Sequence, residues 1–269
     1  MSDELACLDG HIASAAETYI PVTDEGLLRG DGVFEVIRVY DGVPFALADH
    51  LTRIENSAAN LRLELPPGGV LREEALELVT RRGGSGDWAL RIVVTRGGRR
   101  LLLTEPLPPS SASESITLGV VTFSPTRVLD GIKSLSYAGN MLAGRLAKER
   151  GFDEALLVTP HGRVLEAPTS SIFWVDERGT LCTPPLDEHI LASITRAAVL
   201  QMLDVEERTA SLDDVLAAQE AFLASTTREV QAISRIEEGE LPAAPGERTR
   251  EAATALRNHI EEELRPVRA

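Results

Sequence analysis

A mixed α/β fold (α+β), divided into two domains, is predicted from three features of the sequence. The chain has 269 residues, which suits one large or two ordinary domains. Short β-branched runs alternate with segments whose apolar residues recur at helical spacing. Proline and glycine interrupt this pattern at residues 124–132, between two regular segments. We therefore expect a small N-terminal α/β domain over 1–123, a connection over 124–132 and a larger C-terminal domain over 133–269.

The regular structure of the N-terminal domain opens with a hairpin signal. Residues 33–40 form a β-branched and aromatic run, which Gly32 precedes and the turn pair Asp41-Gly42 follows. Asp49 is then expected to cap a helix, because apolar residues recur at helical spacing behind it. That apolar face consists of Leu51, Ile54, Ala58 and Leu61. A second helix is expected over 72–82, and strands over 89–95 and 116–123.

The C-terminal domain is expected to begin with a helix over 134–150 that ends at Gly151. The residues predicted on its apolar face are Leu135, Ala138, Leu142 and Leu146. Further strands are expected in a hairpin around His161-Gly162 and over 171–175, 180–183 and 221–226. Further helices are expected near Thr195 and Asp213 and, with an apolar stripe that ends at Leu264, over 246–264.

Composition and charge argue against several classes of protein. The 27 basic and 42 acidic side chains give a net charge of −15, which repels a phosphate backbone, so we expect no nucleic-acid partner. No apolar run approaches the roughly 18 residues that cross a bilayer, so we expect no membrane partner, and the N-terminal residues do not resemble a secretory signal. Cys7 and Cys182 cannot build a disulfide framework, which favours the cytoplasm.

Two site classes are also disfavoured by the motifs. Gly30-Asp31-Gly32 precedes a strand and lacks the third glycine of a dinucleotide-binding loop. The five histidines are scattered without paired spacing, so no metal site is expected. Lysine is rare: Lys133 and Lys148 are the only two among the 27 basic residues. Each lysine that is present therefore needs an explanation.

Seven segments in order resemble the class IV aminotransferases, the fold type IV enzymes that use pyridoxal 5′-phosphate. This family includes branched-chain and D-amino acid aminotransferases and aminodeoxychorismate lyases. The matching segments are GDGVFEV (30–36), HLTRIENSA (50–58), IKSLSYAGN (132–140), GFDEALL (151–157), GRVLEAPTSSIFWV (162–175), TPPLDEHILASITR (183–196) and STTREV (225–230). The resemblance implies a two-domain enzyme with the cofactor in the interdomain cleft, and a homodimer that completes the pocket.

Lys133 matches the family's catalytic lysine. The resemblance implies that this amine holds the cofactor as a Schiff base and moves a proton between the substrate's α-carbon and the cofactor. The alternative is an ordinary surface lysine, which is how Lys148 is interpreted. Glu166 matches the carboxylate that keeps the cofactor's pyridine nitrogen protonated, and the alternative is a surface glutamate at a strand end.

The remaining cofactor contacts follow from the same resemblance. Arg53 and Thr226 match phosphate-binding residues, and Ser193, Ile194 and Thr195 stand at a helix start whose backbone N–H groups suit an anion. The alternatives are a solvated helix face for Arg53 and a strand-end turn for Thr226. Tyr137 is expected to contact the cofactor's phenolic oxygen or the substrate, or else to pack inward from a helix.

Substrate-binding candidates are Arg29, Phe34, Arg91 and Thr227. Arg29 stands where many relatives have an aromatic residue, and a cation there would favour a substrate with a second carboxylate, unless it turns to solvent. Arg96, Arg99 and Arg100 are further carboxylate-binding candidates, and each is more readily explained as a surface arginine. The Lys133–Gly151 spacing is similar to that of the D-amino acid aminotransferases and the lyases.

A ping-pong aminotransferase that moves an amino group between an amino acid, of the D- or branched-chain type, and a 2-oxo acid is the function that the resemblance favours. Two alternatives stay open at this point. One is an aminodeoxychorismate lyase, which would eliminate pyruvate through the same lysine. The other is a non-catalytic relative, against which the presence of Lys133, Glu166 and Arg53 argues.

Overall fold

Two β-sheets with flanking helices make up the computed structural model, which describes residues 4–107 and 115–268. The chain divides into two units, and the mixed α/β class predicted from the sequence is confirmed. The first unit comprises Met1–Pro108, Gly131–Tyr137 and Glu261–Ala269, and the second comprises Pro109–Asp130 and Ala138–Ile260. The domain boundary predicted over 124–132 stays a prediction.

The first unit is built on a six-stranded antiparallel sheet of order β2-β1-β6-β5-β3-β4. Its strands are Leu5–Leu8 (β1), His11–Ser14 (β2), Gly32–Tyr40 (β3), Val43–Pro44 (β4), Trp88–Thr95 (β5) and Arg100–Glu105 (β6). Its first three helices are Glu25–Arg29 (α1), Leu47–Leu61 (α2) and Val70–Arg82 (α3). Alternate residues of β3, such as Val33, Ile37 and Val39, belong to a core that α2 and α3 share.

The second unit is built on an eight-stranded mixed sheet of order β11-β10-β9-β12-β13-β7-β8, with β14 paired to β13. Its strands are Ser115–Thr122 (β7), Glu154–Val158 (β8), Ser171–Val175 (β9), Leu181–Thr183 (β10), Glu206–Glu207 (β11), Glu220–Ser225 (β12), Glu229–Ile236 (β13) and Gly239–Glu240 (β14). The later helices are Ala138–Glu149 (α4), Ile194–Met202 (α5), Leu212–Leu216 (α6) and Glu247–Arg268 (α7). β9 and β12 are buried along their whole length, which explains their continuous apolar runs.

Most of the strands and helices predicted from the sequence are present within one to four residues of their expected bounds. The hairpin after residue 40 is confirmed by the antiparallel pairs Val39–Pro44 and Tyr40–Val43. The sequence analysis assigned no strand to β1, β2 or β6, which pair with one another and with β5. Asp49 is not the helix cap: α2 begins at Leu47 after Ala46, and Asp49 lies within its first turn.

The predicted helix over 134–150 is shorter, and its buried face is different. α4 begins at Ala138, because the backbone of the preceding residues is bonded to β3 instead. The buried side chains of α4 are Ala143 and Ala147, whereas Leu142 and Leu146 are 50% and 40% exposed. Among the described residues, the apolar stripe predicted on this helix is therefore exposed at the surface.

Candidate active site

The Lys133 peptide is held between a strand and a helix of the first unit. The Phe34 N–H donates to the Lys133 carbonyl oxygen at 3.0 Å, and the Leu135 N–H donates to the Gly32 carbonyl at 2.9 Å. On the other side, the Lys133 N–H donates to Ser57 Oγ of α2 at 3.1 Å. Both polar groups of the residue's backbone are thus engaged.

Glycine at position 32 permits this close approach. A Cβ atom there would lie 2.5 Å from the Val94 carbonyl oxygen and 2.7 Å from Leu135 Cδ1. Both distances are far below normal contact, and the Val94 oxygen belongs to the backbone of the neighbouring strand. Any side chain at Gly32 would therefore displace the segment that carries Lys133.

The Lys133 side chain lies against aromatic rings. Its Nζ atom is 4.5 Å from the Phe34 ring centroid and 5.7 Å from that of Tyr137. The two rings pack edge to face, with their centroids 5.3 Å apart. Phe34 is buried, while Lys133 and Tyr137 are partly buried. The lysine amine therefore lies beside ring faces, which attract a cation.

Arg53 belongs to a buried cluster centred on Glu35, which the sequence analysis did not identify. Glu35 is fully buried on β3, and its two carboxylate oxygens accept from Arg53 Nε and a terminal guanidinium nitrogen, both at 2.6 Å. His50 Nδ1 lies 2.7 Å from Glu35 Oε2. Such a fork-to-fork pair fixes the plane of the guanidinium as well as its position.

The ionisation of this cluster follows from its contacts. Burial raises the pKa of Glu35, but the hydrogen bonds and charges of Arg53 and His50 outweigh it and lower the pKa to about 2. Burial lowers the pKa of His50 and outweighs the opposite effect of Glu35. We infer that Glu35 is ionised and His50 neutral at pH 7, so His50 donates its Nδ1 proton to the carboxylate.

Arg91 lies in the same group of side chains as Lys133. Its guanidinium carbon is 5.6 Å from the centroid of the Phe34 ring, the ring that Lys133 Nζ also contacts. Arg91 Nε donates to Glu105 Oε1 at 2.8 Å, and both side chains are about one-third exposed or less. Arg91 is thus a partly exposed cation near the lysine amine.

The other candidate arginines are paired elsewhere. Arg29 is at the end of α1, with a side chain that is 72% exposed and paired with Glu25. Arg96, Arg99 and Arg100 are bonded to Asp31, Asp9 and Glu74 respectively. These pairs give the three arginines the structural explanation that the sequence analysis preferred.

In the second unit, Glu166 is joined to the loop that precedes α5. Glu166 Oε1 accepts the Leu191 N–H at 3.2 Å, and the carboxylate is partly exposed. Ser193 caps α5, and its hydroxyl accepts the Arg196 N–H at 3.2 Å. The N–H groups of Ile194 and Thr195 are in the first turn of α5, where a helix provides no carbonyl acceptor for them, and they therefore suit an anion. Glu166 is therefore hydrogen-bonded to the loop that leads into residues 193–195.

Thr226 and Thr227 occupy the turn between β12 and β13, and both are partly buried. The Arg228 N–H donates to Ser225 Oγ at 3.4 Å, and the Arg228 guanidinium pairs with the buried Glu154 at 2.5 Å. The turn is therefore fixed on both sides of the two threonines. Their assignment as cofactor and substrate contacts stays a prediction.

Glu35, His50 and Ser57 were not predicted from the sequence, although each has a position in the sequence that indicates its surroundings. Glu35 is two residues from each of the buried residues Val33 and Ile37, so it belongs to the same buried face of the strand. A charge on a buried face needs a partner. His50 and Ser57 are separated from Arg53 by three and four residues, which places all three side chains on one face of α2. Within the described ranges, no cluster of acidic, histidine and cysteine residues could hold a metal ion.

Comparisons with known proteins identify the family. The family model for amino-transferase class IV matches residues 32–236. A putative branched-chain-amino-acid aminotransferase of Methanocaldococcus jannaschii is 34% identical over 86% of this chain and 87% of its own. A D-alanine aminotransferase of Bacillus licheniformis is 32% identical over 94% and 95% of the two chains.

Solved structures agree with these matches. A fold IV transaminase from Curtobacterium pusillum has a TM-score of 0.84 at 31% identity and covers 94% of this chain and 98% of its own. A branched-chain aminotransferase from Thermoproteus uzoniensis has a TM-score of 0.89 at 28% identity, with 97% of both chains covered. The chain belongs to the class IV aminotransferases, which are enzymes that use pyridoxal 5′-phosphate.

We predict that Glu35→Gln destabilises the fold by about 3 kcal/mol at pH 7, because it leaves the Arg53 charge without its buried counter-ion. Asp87→Asn, which breaks the more exposed pair with Arg38, should cost less than about 1 kcal/mol. Urea unfolding of the two variants and the unaltered protein measures both effects.

The effect of Glu35→Gln should depend on pH. Folding lowers the pKa of Glu35 from 4.5 to about 2. The ionised Glu35 carboxylate therefore makes its full contribution to the stability of the folded state above pH 4.5, and this contribution is lost as the pH falls toward 2. The stability difference from the unaltered protein should therefore narrow below pH 4.5. A difference that stays constant down to pH 3 would show that the carboxylate charge is not the cause.

Proposed function

We propose that this aminotransferase binds its cofactor covalently through Lys133 and exchanges an amino group between an amino acid and a 2-oxo acid. The observation that carries the proposal is the Lys133 amine, held over aromatic rings 4.5 and 5.7 Å away on a segment bonded to β3 and α2. Bound pyridoxal phosphate supplies an electron sink for the charge that develops on the substrate's α-carbon. Lys133 Nζ moves the proton at that carbon.

Each unit, taken by itself, contains donors of the kind that bind a phosphate group. Arg53 supplies a planar cation whose orientation Glu35 fixes at two nitrogens. The amides of Ile194 and Thr195 lie at the positive end of α5, and the Ser193 hydroxyl is already bonded to Arg196, so it stabilises the helix start. We assign Thr226 to the same anion through its hydroxyl and backbone N–H. The set combines charge with backbone donors, as phosphate sites do.

Glu166 is assigned to the pyridine nitrogen. A carboxylate beside that nitrogen favours its protonated form. The bond from Leu191 N–H to Oε1 orients the Glu166 carboxylate and ties it to the loop that leads into α5. Tyr137 packs edge to face against Phe34 beside Lys133, and we assign it to the cofactor's phenolic oxygen or the substrate.

The substrate side chain is assigned to Phe34, Arg91 and Thr227. Phe34 gives an apolar surface near both Lys133 and Arg91, and Arg91 offers a cation to a second carboxylate on the substrate. Glutamate and 2-oxoglutarate, which carry that carboxylate, are therefore proposed as one donor–acceptor pair. An apolar amino acid of the D- or branched-chain type uses the Phe34 surface alone. The relatives named above are aminotransferases, and nothing among them favours the lyase.

A cytoplasmic homodimer is proposed as the working form. Large apolar residues are exposed at one end of the first unit and on α4 of the second. They are Tyr19, Val22, Leu27 and Leu28 in the former and Met141, Leu142 and Leu146 in the latter. Cys7 and Cys182 are buried and free, which suits a reducing compartment. No helix among the described residues is both long and apolar enough to cross a membrane.

The catalytic assignment predicts that Lys133→Ala abolishes amino transfer and the absorbance of covalently held cofactor. Lys148→Ala, at an exposed position of α4, should change neither. Spectra of each purified protein are recorded before and after separate additions of D-alanine, L-leucine and D-glutamate. Conversion to pyridoxamine phosphate by one of them establishes transfer and its handedness. An unchanged spectrum with all three, for protein that holds cofactor, would contradict the proposal.

The substrate assignment predicts that Arg91→Met lowers the kcat/KM ratio of glutamate to leucine by about tenfold to a hundredfold, through loss of a charge-assisted hydrogen bond. Arg99→Met is the matched control, since Arg99 pairs with Asp9. Arg29→Tyr tests the competing hypothesis in the same assay. An altered ratio for Arg29→Tyr together with an unchanged one for Arg91→Met would reverse the assignment.

The dimer proposal predicts a solution mass near twice 29.1 kDa in sedimentation equilibrium. Leu28→Glu should shift the protein toward the monomer, because a charge would have to be buried in the interface. A monomeric unaltered protein at micromolar concentration would contradict the proposal.

A further inference from the structure

We propose that Ser57 is a positioning residue for Lys133, and that its hydroxyl sets the place of the lysine relative to Arg53. The inference rests on the proposed role of Lys133. Ser57 contacts the lysine through its peptide group alone: the Lys133 N–H donates to Ser57 Oγ at 3.1 Å.

Burial makes this hydrogen bond consequential. Ser57 has no exposed surface, so its hydroxyl cannot exchange this partner for bulk water without a local opening. A serine is also a poorer helix former than the alanines that follow it at positions 58 and 59. The hydroxyl at this position is therefore better explained by its contact than by the needs of α2.

The Lys133 residue is held from two opposite elements. Its carbonyl oxygen accepts from the Phe34 N–H of β3, and its N–H is bound by Ser57 of α2. On the strand side, the Leu135 N–H also donates to the Gly32 carbonyl, so β3 holds the segment at two points and Ser57 supplies the contact at the Lys133 N–H. The bonds from β3 and from Ser57 together fix the position of the Cα atom from which the lysine side chain extends.

Helix α2 carries the proposed phosphate ligand and the Ser57 anchor on one face. Arg53 and Ser57 are four residues apart, about 6 Å along a helix. Glu35 of β3 fixes Arg53 at both carboxylate oxygens, and Ser57 fixes Lys133 one turn further on. A single rigid helix thus sets the spacing between the arginine and the lysine, which are proposed to hold two different groups of the same cofactor.

The test compares Ser57→Ala, which removes the acceptor, with Ser57→Cys, which keeps the volume but is a weak acceptor. Ile54→Val is the matched control, because Ile54 is fully buried on the same helix and loses one methyl group. Amide hydrogen exchange is measured at Lys133 and at Leu135, whose N–H is bound by Gly32 instead. The rate of covalent cofactor attachment and the steady-state constants are measured on the same proteins.

Both Ser57 variants should speed exchange at Lys133 by about tenfold and lower kcat and the attachment rate by a similar factor, with KM little changed, since misplaced reactive groups affect the chemical step. Exchange at Leu135 should not change, and Ile54→Val should leave all of these values unaltered. If Ser57→Ala does not fold, Ser57→Cys carries the same test.

Two results would overturn the inference. One is unaltered exchange at Lys133 with normal kcat in the Ser57 variants, and the other is the same set of changes in Ile54→Val, which would indicate general loosening of α2. If Lys133→Ala is inactive, the proposed role of Lys133 is retained after either of these results. Full activity of Lys133→Ala would instead remove the proposed function itself.

Discussion

The buried Glu35 carboxylate is the constraint on which the first unit depends. It lies on the face of β3 that otherwise presents valine and isoleucine to the core, so its charge has no access to water. Such a group costs several kcal/mol unless it is fully paired. Arg53 and His50 supply that pairing from α2, and the helix can therefore lie in only one register on the sheet. The same register brings Ser57 to the Lys133 peptide.

The segment before α4 shows how a local sequence preference yields to pairing with a distant strand. Residues 134–137 have apolar spacing that continues the helix, yet Ser134 bridges to Val33 and Leu135 bonds to Gly32. The absence of a side chain at Gly32 makes that approach possible. Lys133 consequently lies outside α4, bonded to β3 through its carbonyl oxygen and to Ser57 of α2 through its N–H, and its side chain projects toward Phe34.

Through its resemblance to the family, the sequence predicted which residues carry the cofactor chemistry, and that assignment stays a prediction. Lys133, Arg53 and Glu166 follow from ordered motifs, and the strands around them follow from apolar runs. It did not predict Glu35, His50 or Ser57, because their meaning lies in contacts between β3, α2 and residue 133, which are distant in sequence. It also misplaced the buried face of α4, because periodicity identifies an apolar stripe without telling whether this chain or another covers it. β1, β2 and β6 were missed although two of their pairings, β1 with β2 and β5 with β6, join neighbouring segments, and only the pairing of β1 with β6 joins segments distant in sequence.

Because the net charge of the chain is negative, the binding of anionic ligands depends on cations close to them. The ligands of an aminotransferase carry a phosphate or carboxylates, and a chain with net charge −15 repels them at long range. Salt screens that repulsion beyond about 8 Å, so short-range groups decide binding. Lys133 and Arg91 both lie close to the Phe34 ring, and Glu35 holds Arg53 as an oriented cation. Glu105 partly neutralises Arg91 when no substrate carboxylate is present, which avoids an unpaired charge beside an apolar ring. Under the proposed assignment of Arg91 to the substrate, selectivity for a second carboxylate depends on how well a substrate competes with Glu105 for the same guanidinium.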